Sequence, residues 1–242
     1  MPKVWIDAGH GGKDPGAVAN GLQEKDITLK VSLGIKQRLE TEYENVQVLL
    51  SRSTDVFLEL KERTSKANAA GADILVSIHC NAGGGKGGFE SFRYSSASQN
   101  SIKLQNALHK AITGEIGGID RGIKAQNLNM VRESKMPAVL TENLFVDVSA
   151  DADRLKQASV LDAIINGHVL GIATHLGLIK KVKEQKPVTQ DRDINNPSKW
   201  AESAWTDLTS KGYFDGSRPG APITREEMAV VLNRLLNNIA QK

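Results

Sequence analysis

Short apolar runs alternate with longer amphipathic stretches along most of this chain. Residues 3–6, 46–50 and 73–79 are rich in aliphatic and β-branched side chains and predict strands. Between the first two, 26–42 (DITLKVSLGIKQRLETE) places Ile27, Val31, Leu33, Ile35 and Leu39 at near-helical spacing. A second helix is predicted over 57–70, where Leu58 and Leu60 precede alanine-rich turns. A strand over 88–93, a helix over about 98–116, a buried strand over 137–145 (PAVLTENLF) and a long apolar helix over 157–178 continue the alternation. Strands separated by helices require right-handed crossovers. The expected fold class is therefore α/β: an open, largely parallel twisted sheet flanked by helices on both faces, plus a small helical C-terminal module.

The pattern stops after Lys180. KKVKEQKPVTQDRDINNPSK is charged, holds two prolines and has no apolar period, which predicts a linker. The expected division is a domain over 1–180, a linker over 181–196 and a small helical unit over 197–242. In that last unit a helix signal (SKWAESAWTDLTSKG), a turn (YFDGSRPGAP) and a second helix (ITREEMAVVLNRLLNNI) follow one another, and Thr224 with Glu227 forms a capping-box pattern. A unit this short without disulfides or metal is marginal alone.

Composition narrows the field only a little. The 242 residues are 40% hydrophobic and 24% charged, as in ordinary soluble domains, and the net charge of +3 suits an anionic surface without naming one. No dense Lys/Arg tract with interleaved aromatics occurs, so nucleic acid is not an expected partner. Cys80 is the single cysteine, which excludes an internal disulfide framework and multi-cysteine zinc motifs. The start, MPKVWIDAGH, reads neither as a secretory signal nor as a membrane span.

Candidate chemistry clusters at strand ends. VWIDAGHGGKDPG delivers His10 after the first strand, His79 ends the third, and Glu142 ends the late one. In open sheets of this class, ligands bind beyond the carboxyl ends of the strands. Each residue also has an ordinary structural reading. A histidine at a strand end is commonly hydrogen-bonded structure, and Glu24, just ahead of a helix, suits the positive end of its dipole. Glu142 lies among apolar residues and must be paired or perturbed. Taken together, His10, His79 and Glu24 match a two-histidine, one-carboxylate zinc set with an open position for water, and Glu142 supplies a separate general base. A phosphate loop fits poorly, because neither GHGGKDPG nor GGGKGG at 83–88 has the GxxxxGK[ST] spacing.

IDAGHGGKDPGA, GLQEKDITL, LSRSTDVFLELKERTSKANAAGADILVSIHCNA and MPAVLTENLF, in that order, resemble the zinc-dependent N-acetylmuramoyl-L-alanine amidases of the amidase-3 family. The likeness runs from residue 3 to about 178. It implies Zn2+ on His10, Glu24 and His79, catalysis by Glu142, and hydrolysis of the amide between N-acetylmuramic acid and L-alanine in peptidoglycan. Asn81, Arg52 and Arg63 fall on matching segments as candidate substrate contacts. Arg52, Arg63 and Asn68 also have a structural reading, as ties between strand and helix, and that reading is favoured.

Two departures stand out. Cys80 replaces the family's short hydrophobic or small residue beside the histidine, which raises a Cys/His peptidase as an alternative. Strand alternation answers it by turning Cys80 to the face opposite His79. Asn143 and Leu144 precede Phe145 where the family runs glycine–phenylalanine, which bears on substrate contacts. The glycine loop 82–88 reads equally as a mobile groove wall or as a solvated loop.

Residues 199–235 resemble one S-layer-homology module, which implies binding to a secondary cell-wall polymer; a dimerisation tail, giving a homodimer, is the alternative. A non-catalytic wall-binding protein is the third reading of the whole chain. The combination looks like a phage or prophage endolysin, made in the cytoplasm without a signal peptide and acting on the wall after release. An autolysin of mother-cell lysis would look the same.

Overall fold

β1 (Lys3–Ala8) lies one strand in from the edge of a six-stranded sheet, between β4 (Gln47–Leu50) and β5 (Ile74–Asn81). Beyond β5 come β8 (Ala138–Phe145), β6 (Phe89–Arg93) and β7 (Asp120–Ala125), giving the order β4-β1-β5-β8-β6-β7. This arrangement is seen in a computed structural model, which describes residues 1–181, 195–197, 199, 201–217 and 225–239. Every neighbouring pair is parallel except β8 with β6. Since β6 and β7 are parallel to each other, both begin at the edge where β1, β5 and β8 end.

Period-two burial sorts the side chains into two cores. Ile74, Val76, Ile78 and Cys80 of β5 enter the larger core with Ile35 of α1 (Glu24–Glu42), Leu108 of α3 (Gln99–Ile116) and Ile164 of α6 (Ala158–Leu176). On the other face, Leu75, Leu140 and Phe92 join a smaller core with Trp5. Among the described residues, Ala67 of α2 (Leu60–Ala69) and Met130 and Val131 of α4 (Asn129–Arg132) cover it from the helical side. A hairpin of β2 (Val18–Ala19) and β3 (Leu22–Gln23) precedes α1, and α5 (Ser149–Leu155) precedes α6.

The α/β class with helices on both faces is therefore present, with two differences in detail. β7 (DRGIKA) is an edge strand of exposed and half-buried residues, so it lacks the apolar run that marks a buried strand. Helix α1 starts at Glu24, two residues before the predicted start at Asp26 and three before the first periodic apolar position, Ile27.

The chain divides into two compact units, Met1–Lys181 and Val182–Lys242. In the second, α7 (Glu202–Ser210) and α8 (Arg225–Ile239) flank a turn. Trp205 stacks on Phe214 at 4.7 Å between ring centroids, and Arg234 donates to the carbonyls of Gly212 and Tyr213. Most of the expected linker, Trp200, and Thr224 of the capping-box pattern lie outside the described residues. Among the described residues, no helix is long and apolar enough to cross a membrane.

Candidate metal centre and active site

The strand β1 ends in a turn that two buried arginines hold from beneath. Arg52 donates to the carbonyls of Ala8 (3.0 Å), Gly9 (2.8 Å) and Lys25 (2.8 Å). Arg63 donates to the carbonyls of Ala8 (2.6 Å), His10 (2.6 Å) and Leu58 (3.0 Å), and pairs with Asp7 at 3.0 Å. Their donors satisfy consecutive carbonyls that strand pairing leaves open, and they fix His10 in a left-handed backbone conformation (φ 59°). At 3% and 2% exposure, these guanidinium groups are turned into the protein and shape the loop. Asn68 likewise ties α2 to the loop before β8, donating to Glu133 O and accepting from Lys135 N.

His10, Glu24 and His79 meet above this turn, their ligand-type atoms within 4.8 Å of one another. Glu24 opens α1 and reaches both rings: Oε1 lies 2.9 Å from His79 Nδ1 and Oε2 lies 3.1 Å from His10 Nε2. The same carboxylate accepts from the backbone N–H of Ala17 and Cys80, which fixes it without using a second side chain. His10 Nδ1 faces Asp14 at 2.8 Å, so Asp14 orients the ring and leaves Nε2 directed at Glu24. Gly16 completes the enclosure. Its φ is +66°, and a Cβ there would meet Glu24 Oε2 at 2.6 Å and His10 Cδ2 at 2.7 Å.

Charge at this cluster favours a cation in its midst. Burial alone would lower the pKa of His79, yet the hydrogen bond to Glu24 and the nearby Glu142 charge push it up to about 9. His10 is raised as well, Glu24 again overcoming the effect of burial. Burial would raise Glu24, but its two imidazole partners hold it well below the usual carboxylate range. A carboxylate shared by two imidazoles is a donor set that suits a borderline ion such as zinc.

Glu142 stands one strand away. It pairs in register with His79 on β5 and with Glu90 on β6. Register partners project to the same face, so His79, Glu142 and Glu90 form a row across three strands, on the face of the smaller core. Glu142 Oε2 is buried and has no hydrogen-bond partner among the described residues. Burial lifts its pKa to about 7, opposed by His79 and reinforced by the charges of Glu24 and Glu90. A carboxylate poised there is matched to general-base work near neutrality. A cleft of about 340 Å³ opens beside His10 and His79, walled by Phe57, Leu58 and Leu60 and floored by Asp7.

The neighbouring positions divide cleanly. Cys80 is 3% exposed in the larger core, facing away from His79, and burial pushes its thiol far up, so no thiolate nucleophile is available. Asn81 points to the groove face and donates to Glu90 at 2.6 Å. The glycine loop is tied down by acidic side chains: Gly83 and Gly84 N–H groups donate to Asp147, and Gly88 N–H to Asp151. Glu90 is the residue that sequence reasoning missed. It sits in GFESF, a charge among apolar residues, which is the same signal that drew attention to Glu142.

Residues 4–174 match the family model of the N-acetylmuramoyl-L-alanine amidases, Amidase_3. The chain belongs to this family. Among curated relatives, the endolysin of Bacillus phage SPP1 is 49% identical over 201 residues, covering 81% of this chain and 74% of the relative. The sporulation-specific N-acetylmuramoyl-L-alanine amidase of Bacillus subtilis is 44% identical over 180 residues, covering 74% and 70%. Among solved structures, the catalytic domain of CwlV from Bacillus (Paenibacillus) polymyxa superposes with a TM-score of 0.70 at 35% identity, covering 74% of this chain and all of that one. Leu144, just before Phe145, holds a left-handed backbone conformation at φ 70°. That backbone conformation is the physical reason glycine suits the site.

Proposed function

We propose that this chain is a zinc-dependent amidase that hydrolyses the bond between N-acetylmuramic acid and L-alanine in peptidoglycan. The observation that carries the reading is the unpartnered Glu142 Oε2, in register with a histidine that shares one carboxylate with a second histidine. His10, Glu24 and His79 would hold the zinc. When bound, the ion supplies Lewis acidity toward a carbonyl and lowers the pKa of water.

The protein's own residues do the rest. Asp14 and the backbone N–H groups of Ala17 and Cys80 keep the three donors oriented. Arg52 and Arg63 hold the His10 turn. Glu142 accepts the proton of the attacking water and returns it to the leaving alanine nitrogen. Phe57, Leu58 and Leu60 give one side of the cleft an apolar lining.

The division into two compact units supports residues 1–180 as the catalytic domain, joined by 181–196 to a wall-binding module at 197–242. The names of the relatives, a phage endolysin and a sporulation amidase, support action on the bacterial wall. The test is digestion of purified walls with and without a chelator, followed by zinc restoration. Zinc-dependent appearance of L-alanine amino termini supports the reading. New reducing sugar ends, or activity that survives chelation, refute it.

A further inference from the structure

The row that runs from His79 through Glu142 to Glu90 does not end at Glu90. On the next strand, β7, Arg121 Nε donates to Glu90 Oε2 at 2.8 Å and Lys124 Nζ donates to the same oxygen. Because β6 and β7 begin where β5 and β8 end, Arg121 stands at the active edge of the sheet. Lys124, opposite Phe92 farther along β7, brings its Nζ to the same Glu90 oxygen.

Three features set the pair apart from a simple counter-charge. Glu90 is 3% exposed and one oxygen of it takes two cations, one more than its own charge requires. The side chains of Arg121 and Lys124 are 30% and 39% exposed, so the surplus faces outward. The guanidinium is also pre-ordered, lying 4.6 Å from the centroid of the buried Phe145 ring. Its Nη1 reaches only a long contact of 3.4 Å with Gly87 O, and Nη2 has no partner among the described residues. An ordered donor fork with spare N–H groups binds a planar anion with little further loss of freedom.

We propose that Arg121 and Lys124 form a subsite for a carboxylate of the substrate, about one residue beyond the scissile amide on its peptide side. The proposal rests on the amidase reading given above. Neighbouring strands are about 4.8 Å apart, so cations held on Glu90 lie roughly one to two strand spacings from Glu142. A peptide advances about 3.5 Å per residue, which brings the α-carboxylate of a γ-linked glutamate following the alanine into that range. Glu90 then serves as the positioning residue for the two cations, and Asn81 holds its other oxygen.

The test uses a soluble disaccharide–tripeptide in two forms, with the α-carboxylate of its second peptide residue free or amidated. The released tripeptide, in both forms, serves for calorimetric binding to the unmodified protein. The free form should be cleaved with about tenfold higher kcat/KM, the scale of one charge-assisted hydrogen bond, and the difference should lie in KM. Lys124→Gln and Arg121→Gln should compress that ratio to within about twofold, and Lys124→Arg should preserve it. A merely structural pair would leave the ratio unchanged. Equal cleavage and equal tripeptide binding of both forms by the unmodified protein would overturn the subsite while leaving the amidase intact. Preferred binding of the free-carboxylate tripeptide, with no cleavage of either substrate, would refute the amidase and retain the subsite.

Discussion

His79 and Glu142 are direct register partners across the parallel pair β5 and β8, and the pairing slips immediately after them. The next matched pair is Asn81 with Phe145, so β8 carries one extra residue there. Leu144 absorbs it at φ 70°. Without the bulge, alternation would send Glu142 and Phe145 to opposite faces; with it, both face the groove. Regular register therefore places the base beside the histidine, and the irregularity that follows turns the aromatic platform beneath Arg121 to the same face.

The arginine clamps make the His10 turn sensitive to a change well away from any substrate. Arg63→Gln breaks a buried ion pair with Asp7, removes the Arg63 donor from the His10 carbonyl and leaves the Ala8 carbonyl with Arg52 alone. The expected loss is about 3 kcal/mol in urea denaturation. Zinc affinity should fall with it, because His10 loses the support that fixes its backbone.

Gly16→Ala tests the enclosure of the donor set. A Cβ would sit 2.6 Å from Glu24 Oε2 and the φ of +66° is unfavourable for alanine. Zinc affinity should drop at least about tenfold, the lower end for disturbed supporting groups around a metal. Circular dichroism should still report the α/β fold.

Cys80 decides against the thiol alternative. Its side chain is buried among core residues, and only its backbone N–H serves the site, through Glu24. Cys80→Ala should keep activity within about twofold and cost about 1 kcal/mol of stability, as for a small core truncation. Abolished turnover in a folded variant would revive the Cys/His reading.

His168 carries a pH dependence of stability. It is fully buried on α6, with Nδ1 facing Ile164 O and Nε2 facing the Thr141 hydroxyl, and burial lowers its pKa to about 4. The unfolded chain binds this proton near 6.5 and the folded chain only near 4. Stability from this group is complete above 6.5 and declines as pH falls toward 4. At pH 5 the loss is about 2 kcal/mol. The stability difference between pH 7.5 and pH 5 should shrink by that amount in His168→Gln.

Much of this was legible in the sequence because the signals were local. The apolar period of α1 and the β-branched runs of β1 and β5 report burial directly, and strand ends locate His10, His79 and Glu142. Strand direction is different. Nothing in Phe89–Arg93 says that it runs antiparallel to β8, since that depends on where the chain returns after the glycine loop. The contribution of β6 and β7 to the active edge was therefore hidden, together with Glu90, Arg121 and Lys124. Edge strand β7 was missed for a related reason: half of it faces solvent, so burial leaves no apolar trace. The structural role of Arg52 and Arg63 was the favoured reading of the sequence, but their partners needed the structure, because backbone carbonyls carry no sequence signature.

The most direct test of the account is a paired measurement of zinc stoichiometry and wall hydrolysis in Glu142→Gln and His79→Ala. Glu142→Gln should bind one zinc per chain with unchanged affinity and lose hydrolysis by at least about a thousandfold, as befits removal of the base. His79→Ala should lose both. Substantial hydrolysis in Glu142→Gln, or full zinc binding in His79→Ala, would contradict the assignment of base and metal ligand.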